Sequence, residues 1–284
     1  MPARGGGLDE TYLQRARPPG SPRYFALLFA PAAQRASLTA LFALQSEIQS
    51  AAYTPVDHGV AHTRLEWWRG EIERLAAGKP AHPVSRELLA ANRGVDFAPL
   101  GQLVIDAQWE LARLTLETLE EFQAAGWRSQ GVVQWIGMQL AGVSAADAEP
   151  FARDLGAALA LERTLLTLRP AAANGSVRLP LADLNVRGVT LEDLRDKQPS
   201  APLAQYVSEL CEQAGQRLTS NVDSLRQPLR SALRAHIVLA GLSRAQLGRI
   251  ARAAGRAEDF QQEPSNLKRL WTAWRAARSA SHSG

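Results

Sequence analysis

The chain has 284 residues, 46% hydrophobic and 21% charged, the composition of a soluble globular protein that buries a large core without staples. Its single cysteine, Cys211, excludes an intrachain disulfide framework and a cysteine zinc cluster, and reads as a small buried hydrophobe. The net charge is only +4, but residues 217–278 hold 12 Lys and Arg against four Asp and Glu, so the remainder is acidic.

Ala, Leu, Arg, Glu and Gln dominate, and no window sustains a period-two apolar pattern, so helices are expected throughout. Residues 1–20 read as a flexible Gly- and Pro-rich segment, disordered over 1–7, with a short helix over 9–17. They lack the charged-then-apolar order of a signal peptide. The apolar run over 24–33 is cut by Pro31 and is far shorter than the roughly 20 residues of a membrane span, so a cytoplasmic location is the default. A long helix is predicted from after Pro31 to about residue 52, with Leu38, Leu41, Phe42 and Ile48 on its inner stripe and Thr54-Pro55 as punctuation. Helices over 57–77, stopped by Gly78, and over 83–92 follow. Residues 98–141 read as one long helical stretch kinked near Thr115 and ended by Gly142, and 145–168 as another long helix. The largest break is predicted over 170–188, after which Thr190 and Asp193 cap a short helix. Helices over 201–225, 229–254 and 265–280 complete a single domain, residues 21–280, without repeats. The arginines of these last helices are either solvated faces or a surface for an anionic partner. Aromatic residues that would stack bases are sparse over 217–256, which argues against nucleic acid.

Several segments carry a family resemblance through their order and separation. They are Pro22-Arg23-Tyr24-Phe25 with Ala40-Leu41-Phe42-Ala43-Leu44; Leu65-Glu66-Trp67-Trp68-Arg69-Gly70-Glu71-Ile72; Leu103-Val104-Ile105-Asp106-Ala107; Leu155-Gly156-Ala157-Ala158-Leu159; Gly175-Ser176-Val177-Arg178-Leu179-Pro180; and Leu267-Lys268-Arg269-Leu270-Trp271. Together they resemble squalene/phytoene synthases over about residues 20–275. The resemblance implies an all-α, single-domain isoprenoid synthase fold, an orthogonal bundle of helices around a central cavity that forms a deep apolar tunnel. Active members condense two prenyl diphosphates head to head, holding Mg²⁺ with two facing aspartate-rich motifs. The chemistry calls for that metal, because ionising an allylic diphosphate leaves a multiply charged anion in a dry cavity.

At the positions of the first motif this chain has Gln49-Ser50-Ala51-Ala52-Tyr53, with Ser46 in place of the upstream arginine; at the second it runs from Arg163 through Thr167 to Ala171. Arg178 replaces the family's tyrosine before Leu-Pro. Every metal carboxylate that the resemblance implies is absent. The pattern Ala40-Leu41-Phe42-Ala43-Leu44-Gln45-Ser46-Glu47-Ile48 resembles a degenerate subgroup that includes phytoene-synthase-like assembly factors of respiratory complex I, whose members are thought non-catalytic and membrane-associated.

Gln49 and Tyr53 are one helical turn apart, as are Arg163 and Thr167, so both pairs face one cavity. Arg163 brings a cation where acids are expected. It reads as paired with Asp106 or Glu110, themselves one turn apart on another helix, as a contact for a ligand anion, or as an exposed arginine. Glu47 lies one position off the motif face and reads as structural. Trp67, Trp68, Trp109 and Trp135 sit at core spacing, and His58 with His62 has no third ligand for a metal. Ala157, Ala158 and Ala160 are expected to leave room for the tunnel. The cavity candidates are thus Ser46, Gln49, Ser50, Tyr53, Asp106, Glu110, Arg163, Thr167 and Arg178, with no catalytic residue and no metal ligand among them. The expected function is a non-catalytic prenyl-lipid-binding or membrane-complex assembly protein without cofactor. Its expected partners are an apolar ligand, a membrane surface or a membrane-complex subunit, at the inner face of the membrane. The alternative is an active prenyltransferase of terpenoid synthesis with a rearranged site and Mg²⁺.

Overall fold

Local capping chemistry sets many helix boundaries in the computed structural model, which describes residues 8–53, 57–92, 94–256 and 263–281, with Tyr53 described by its backbone alone. Residues 1–7 and the Thr54-Pro55 punctuation lie outside the described residues. Asp9 caps α1 (Glu10–Ala16), whose Ala16 is fully buried, so this part of the N-terminal segment packs on the body of the protein. Ser21 then accepts from the Tyr24 amide at 3.2 Å, and Pro22, which has no amide hydrogen to leave unpaired, opens α2 (Pro22–Phe29). This helix is an addition to the elements predicted from sequence. The Ser-Pro start was legible, but the run is only eight residues long.

The predicted long helix is α3 (Ala32–Tyr53). Leu38, Ala40, Leu41, Phe42, Ala43, Leu44 and Ile48 are each at most 1% exposed, so α3 is buried nearly all round and forms the centre of the core. Around it lie α4 (His58–Ala76), ended at Gly78 with φ +73°, and α5 (Pro83–Ala90). The stretch over 98–141 is not one kinked helix. A 3₁₀ turn (Ala98–Leu100) leads into α6 (Gly101–Leu111), then the chain runs irregularly to α7 (Leu119–Gly126). Arg113 takes the left-handed conformation (φ 52°), which closes the end of α6, and the Thr118 hydroxyl caps α7 by accepting from the Glu121 amide. A single π turn, Trp127–Gly131, joins α7 to α8 (Val132–Leu140).

Helix α9 (Ala145–Leu166) is followed by α10 (Leu168–Ala173). The break predicted over 170–188 shrinks to residues 174–180, because α11 (Leu181–Val186) resumes the helix. The amides of Leu181 and Ala182 donate to the carbonyls of Leu116 and Glu117 at 2.9 and 3.0 Å, which pins this loop to the irregular stretch before α7. Thr190 and Asp193 form the predicted capping box of α12 (Leu191–Arg195). The last helices are α13 (Ala201–Ser224), a short α14 (Leu229–Ala232), α15 (Arg234–Gly255) and α16 (Asn266–Ser281). Helix α15 packs against α13, α16 and α2, and α9 packs against α8, α13 and the π turn. At the last of these crossings the backbones touch: a Cβ on Gly156 would lie 2.4 Å from the Gly131 Cα. No helix among the described residues is long and apolar enough to cross a membrane.

Candidate functional site

One turn of helix separates Asp106 from Glu110 on α6, and both side chains turn inward, Asp106 with only 3% exposure. Two arginines from distant parts of the chain meet them. Arg163 of α9 donates from Nη2 to Glu110 Oε1. Arg178, on the loop before α11, donates to Asp106 Oδ1 at 3.3 Å and lies 3.6 Å from Glu110. Of the two acids offered to Arg163 by the sequence, Glu110 is the one it engages, and Asp106 belongs to Arg178. Burial raises the Asp106 carboxyl, opposed by Arg178, and pushes Glu110 up to about 7 in spite of the same arginine. Arg163 is lowered to about 10 by burial and by the nearby charges of Arg178 and Arg23.

A second layer comes from α2, α3 and the π turn. Arg23 of α2 lies over the Phe42 ring at 5.0 Å and donates to Ser46 Oγ at 3.1 Å and to Gln45 Oε1. Gln45, fully buried, donates in turn to the Ser129 carbonyl at 2.6 Å and to Gln130. Arg23 thus has neutral acceptors and no carboxylate partner among the described residues, and burial lowers it to about 10. Arg128 projects from the π turn over Trp109 at 4.2 Å, with Nε and Nη2 buried and without hydrogen-bond partners. Three guanidinium groups, of Arg128, Arg163 and Arg178, therefore stand by the two carboxylates, and the charge of Arg23 is felt at Arg163.

Arg163 and Thr167 form the partition between two spaces. On one side lies a cleft of about 430 Å³, to which Arg23, Gln49, Glu162 and Leu159 also contribute. On the other is a void of about 40 Å³ bordered by Glu110, Ala160, Ala171 and Arg178. The room expected beside Ala157 and Ala158 is taken up by packing. Ala158 is fully buried, and a Cβ on Gly126 would lie 3.2 Å from the Ala157 Cα, so these small residues admit α7. Of Ala157, Ala158 and Ala160, Ala160 alone borders the void.

The other sequence candidates fall into place on α3 and α9. Ser46 bridges Arg23 to the Arg15 carbonyl at 3.1 Å, and Ser50 donates to the Glu47 carbonyl at 2.8 Å. Gln49 lines the cleft, and its Nε2 is buried without a partner. Thr167 is exposed and donates to the Arg163 carbonyl at 2.8 Å. The side chain of Tyr53 lies outside the described residues. Glu47 pairs with Arg15 at 2.6 Å.

These residues do not fit Mg²⁺, which takes hard oxygen ligands supplied by unpaired carboxylates. The motif positions hold Gln49, Ser50, Thr167 and Ala171; Asp106, Glu110 and Glu263 are engaged by arginines, and Glu162 is a single carboxyl whose burial favours the protonated form. No group of three or more His, Cys, Asp or Glu is arranged for a metal among the described residues. Arg15, Arg23, Arg163 and Gln49 border one cleft against Glu162 and Glu263, an excess of cationic donors suited to an anion rather than a cation. Arg23, Arg128 and Glu162 were not singled out in the sequence. Arg23 arrives on the unpredicted α2 and Arg128 on a π turn that has no signature. Glu162 was legible only as the neighbour of Arg163; burial pushes its carboxyl up to about 7.

Residues 16–275 match the family model of squalene/phytoene synthases. A phytoene synthase from Arthrospira platensis is 24% identical over 186 residues, 60% of either chain. NADH dehydrogenase (ubiquinone) complex I, assembly factor 6 from Homo sapiens is 21% identical over 211 residues, 73% of this chain and 63% of that protein. The alignments thus span less than two thirds of either relative. Among solved structures, a dehydrosqualene synthase in complex with ligand superposes with a TM-score of 0.79 at 20% identity, over 91% of both chains. Squalene synthase HpnC from Alicyclobacillus acidocaldarius does so with a TM-score of 0.73 at 18% identity, over 87% of this chain and 92% of that one. Likeness at these identities establishes a shared helical fold.

Proposed function

The chain belongs to the squalene/phytoene synthase family, and we propose that it is a non-catalytic member that binds an apolar ligand with an anionic head and acts in assembly of a larger complex. The observation that carries this reading is the Arg163–Glu110 pair with Arg178–Asp106 beside it, standing where a metal–diphosphate centre would need free carboxylates. The divalent ion that the family's chemistry uses to draw off the diphosphate has no free pair of carboxylates to hold it here. The same arginines suit a phosphate-bearing head directly. A guanidinium gives charge-assisted, often paired hydrogen bonds to phosphate oxygens. The cleft beside them, about 430 Å³, includes Leu159, Leu166 and Leu239 for an apolar chain. The human assembly factor among the relatives supports a role in complex assembly.

The test is incubation with farnesyl or geranylgeranyl diphosphate, Mg²⁺ and a reductant, with release of pyrophosphate and hydrocarbon followed together. No turnover is expected, while the non-hydrolysable thiodiphosphate of either ligand raises the melting temperature with or without Mg²⁺. Formation of a C30 or C40 hydrocarbon would make the protein a synthase with a rearranged site.

A further inference from the structure

Helix α16 presents two different faces. Ala273, Ala277 and Ala280 are buried against the body of the protein. Along the outer side, Leu267 is 76% exposed, Trp271 59%, and Leu270 and Trp274 39% each. Their spacing of three and four residues puts them on one continuous stripe. The two indoles stack, with ring centroids 5.0 Å apart, so the patch is pre-formed rather than two independently mobile side chains. Isolated exposed apolar residues are ordinary on a protein surface, whereas a contiguous stripe of four large ones marks an interaction face.

Charge identifies the occupant. Helix α16 contains no acidic residue, and Lys268, Arg275 and Arg278 flank the stripe, all exposed. Arg278 places its guanidinium over the Trp274 ring, 5.4 Å from the centroid, which adds a cation to the aromatic stripe. Beside the stripe, a groove of about 350 Å³ between α13, α15 and α16 carries Arg244 and Arg275 at its rim. A Trp/Leu stripe between cationic side chains on a convex single helix is the arrangement that seats a helix in the headgroup layer of a bilayer. Indoles settle at the boundary between headgroups and acyl chains, and the arginines reach the phosphates. None of the four stripe residues lines the neighbouring groove, so the stripe itself gives a protein helix no slot to enter. We propose that α16 is a docking surface for an anionic lipid bilayer, lying in the plane of the membrane with Leu267, Trp271 and Trp274 dipped below the phosphates. This goes beyond the ligand reading of the cleft and is independent of it.

The experiment is co-sedimentation of the full chain with phosphatidylcholine vesicles, alone or mixed with phosphatidylglycerol. The expected result is binding to the mixed vesicles that weakens as salt rises. Trp271→Ala/Trp274→Ala should lower it at least 10-fold, and Lys268→Gln/Arg275→Gln/Arg278→Gln on the order of 100-fold, at roughly tenfold or less per basic residue near the surface. Both variants alter exposed side chains, so their melting temperatures should match the parent, and Leu267→Ser serves as a second probe of the stripe. Failure of the parent to bind mixed vesicles would overturn the proposal, as would full binding by the tryptophan variant. Equal or stronger binding to polyglutamate or to RNA would also overturn it, in favour of an acidic macromolecule.

Discussion

Arg163 of α9 donates to Glu110 of α6, and Arg178 approaches the same carboxylate at 3.6 Å from the other side. A carboxylate held between two guanidinium groups is costly to strip of one, because its burial already disfavours the charge. Arg163→Met is therefore expected to destabilise the protein by about 1–2 kcal/mol in urea unfolding, less than the roughly 3–5 kcal/mol of a fully buried pair, since the Arg163 side chain is 33% exposed and Arg178 remains. Adding Glu110→Gln should restore most of the loss. An unchanged midpoint for Arg163→Met would mean that the pair contributes nothing to stability.

Gly156 offers a sharper test of how the site is positioned. Its Cβ would meet the Gly131 backbone at 2.4 Å, and backbone cannot rotate away as a side chain can. Gly156→Ala should lower stability by about 1–3 kcal/mol and loosen the π turn that holds Arg128 and Gln130. Hydrogen exchange of residues 127–131 should rise several-fold more than that of α16. A uniform rise across the protein would assign the effect to global stability alone.

The helical fold and the loss of the metal carboxylates were legible in the sequence, because both depend on residue type at fixed spacing. Helix-forming composition and caps such as Thr190 with Asp193 act locally, and the absence of Asp at Gln49 or Thr167 needs no structure to be seen. The partner choices were not legible. Whether Arg163 meets Asp106 or Glu110 depends on where the loop over 174–180 delivers Arg178, and that loop is placed by backbone bonds to Leu116 and Glu117, far away in sequence. The break at 112–118 was read as a kink because no proline or glycine marks it; Arg113 in a left-handed conformation does that work instead. The cationic layer was hidden for a similar reason, since Arg23 is brought in by a helix of only eight residues.

Glu162 and His236 should give the protein an unusual pH response. Burial pushes Glu162 up to about 7, so the folded state holds its proton where the unfolded chain has lost it. The contribution of Glu162 is therefore most favourable below the unfolded value near 4.5 and declines as pH rises to about 7. His236, 1% exposed, is lowered to about 4 by burial, so its contribution is lost as pH falls from about 6.5 towards 4. The two slopes oppose each other between about pH 4.5 and 6.5. Glu162→Gln removes one of them: at pH 8 the variant should be about 2 kcal/mol more stable than the parent, a figure reduced because Glu162 borders the open cleft. At pH 4.5 the two should be nearly equal. Denaturant titration at both pH values checks this, and a difference independent of pH would show that the Glu162 carboxyl binds its proton alike in the folded and unfolded chain.

Arg23 separates ligand binding from stability. Its guanidinium is drawn out of water by α2 and α3, rests on Phe42, and is met by Gln45 and Ser46 with no carboxylate to balance it. A cation so placed costs the unliganded protein free energy, which burial records by lowering its pKa to about 10. An anion in the cleft would supply the missing charge. Arg23→Gln keeps a donor for Gln45 and removes the charge, so the unliganded variant should melt at the same temperature as the parent or higher. Pyrophosphate without metal should raise the melting temperature of the parent and leave the variant unmoved, because a ligand stabilises only in proportion to its affinity for the folded state. A purely structural arginine would behave in the opposite way: the variant would melt lower, and both proteins would respond to pyrophosphate equally or not at all. Adding Mg²⁺ should leave the shift in the parent unchanged, since Asp106 and Glu110 are held by Arg178 and Arg163, Glu263 of the cleft is paired with Arg269, and burial favours the protonated form of Glu162. A shift that required Mg²⁺ would mean that Asp106 and Glu110 release their arginines to bind metal.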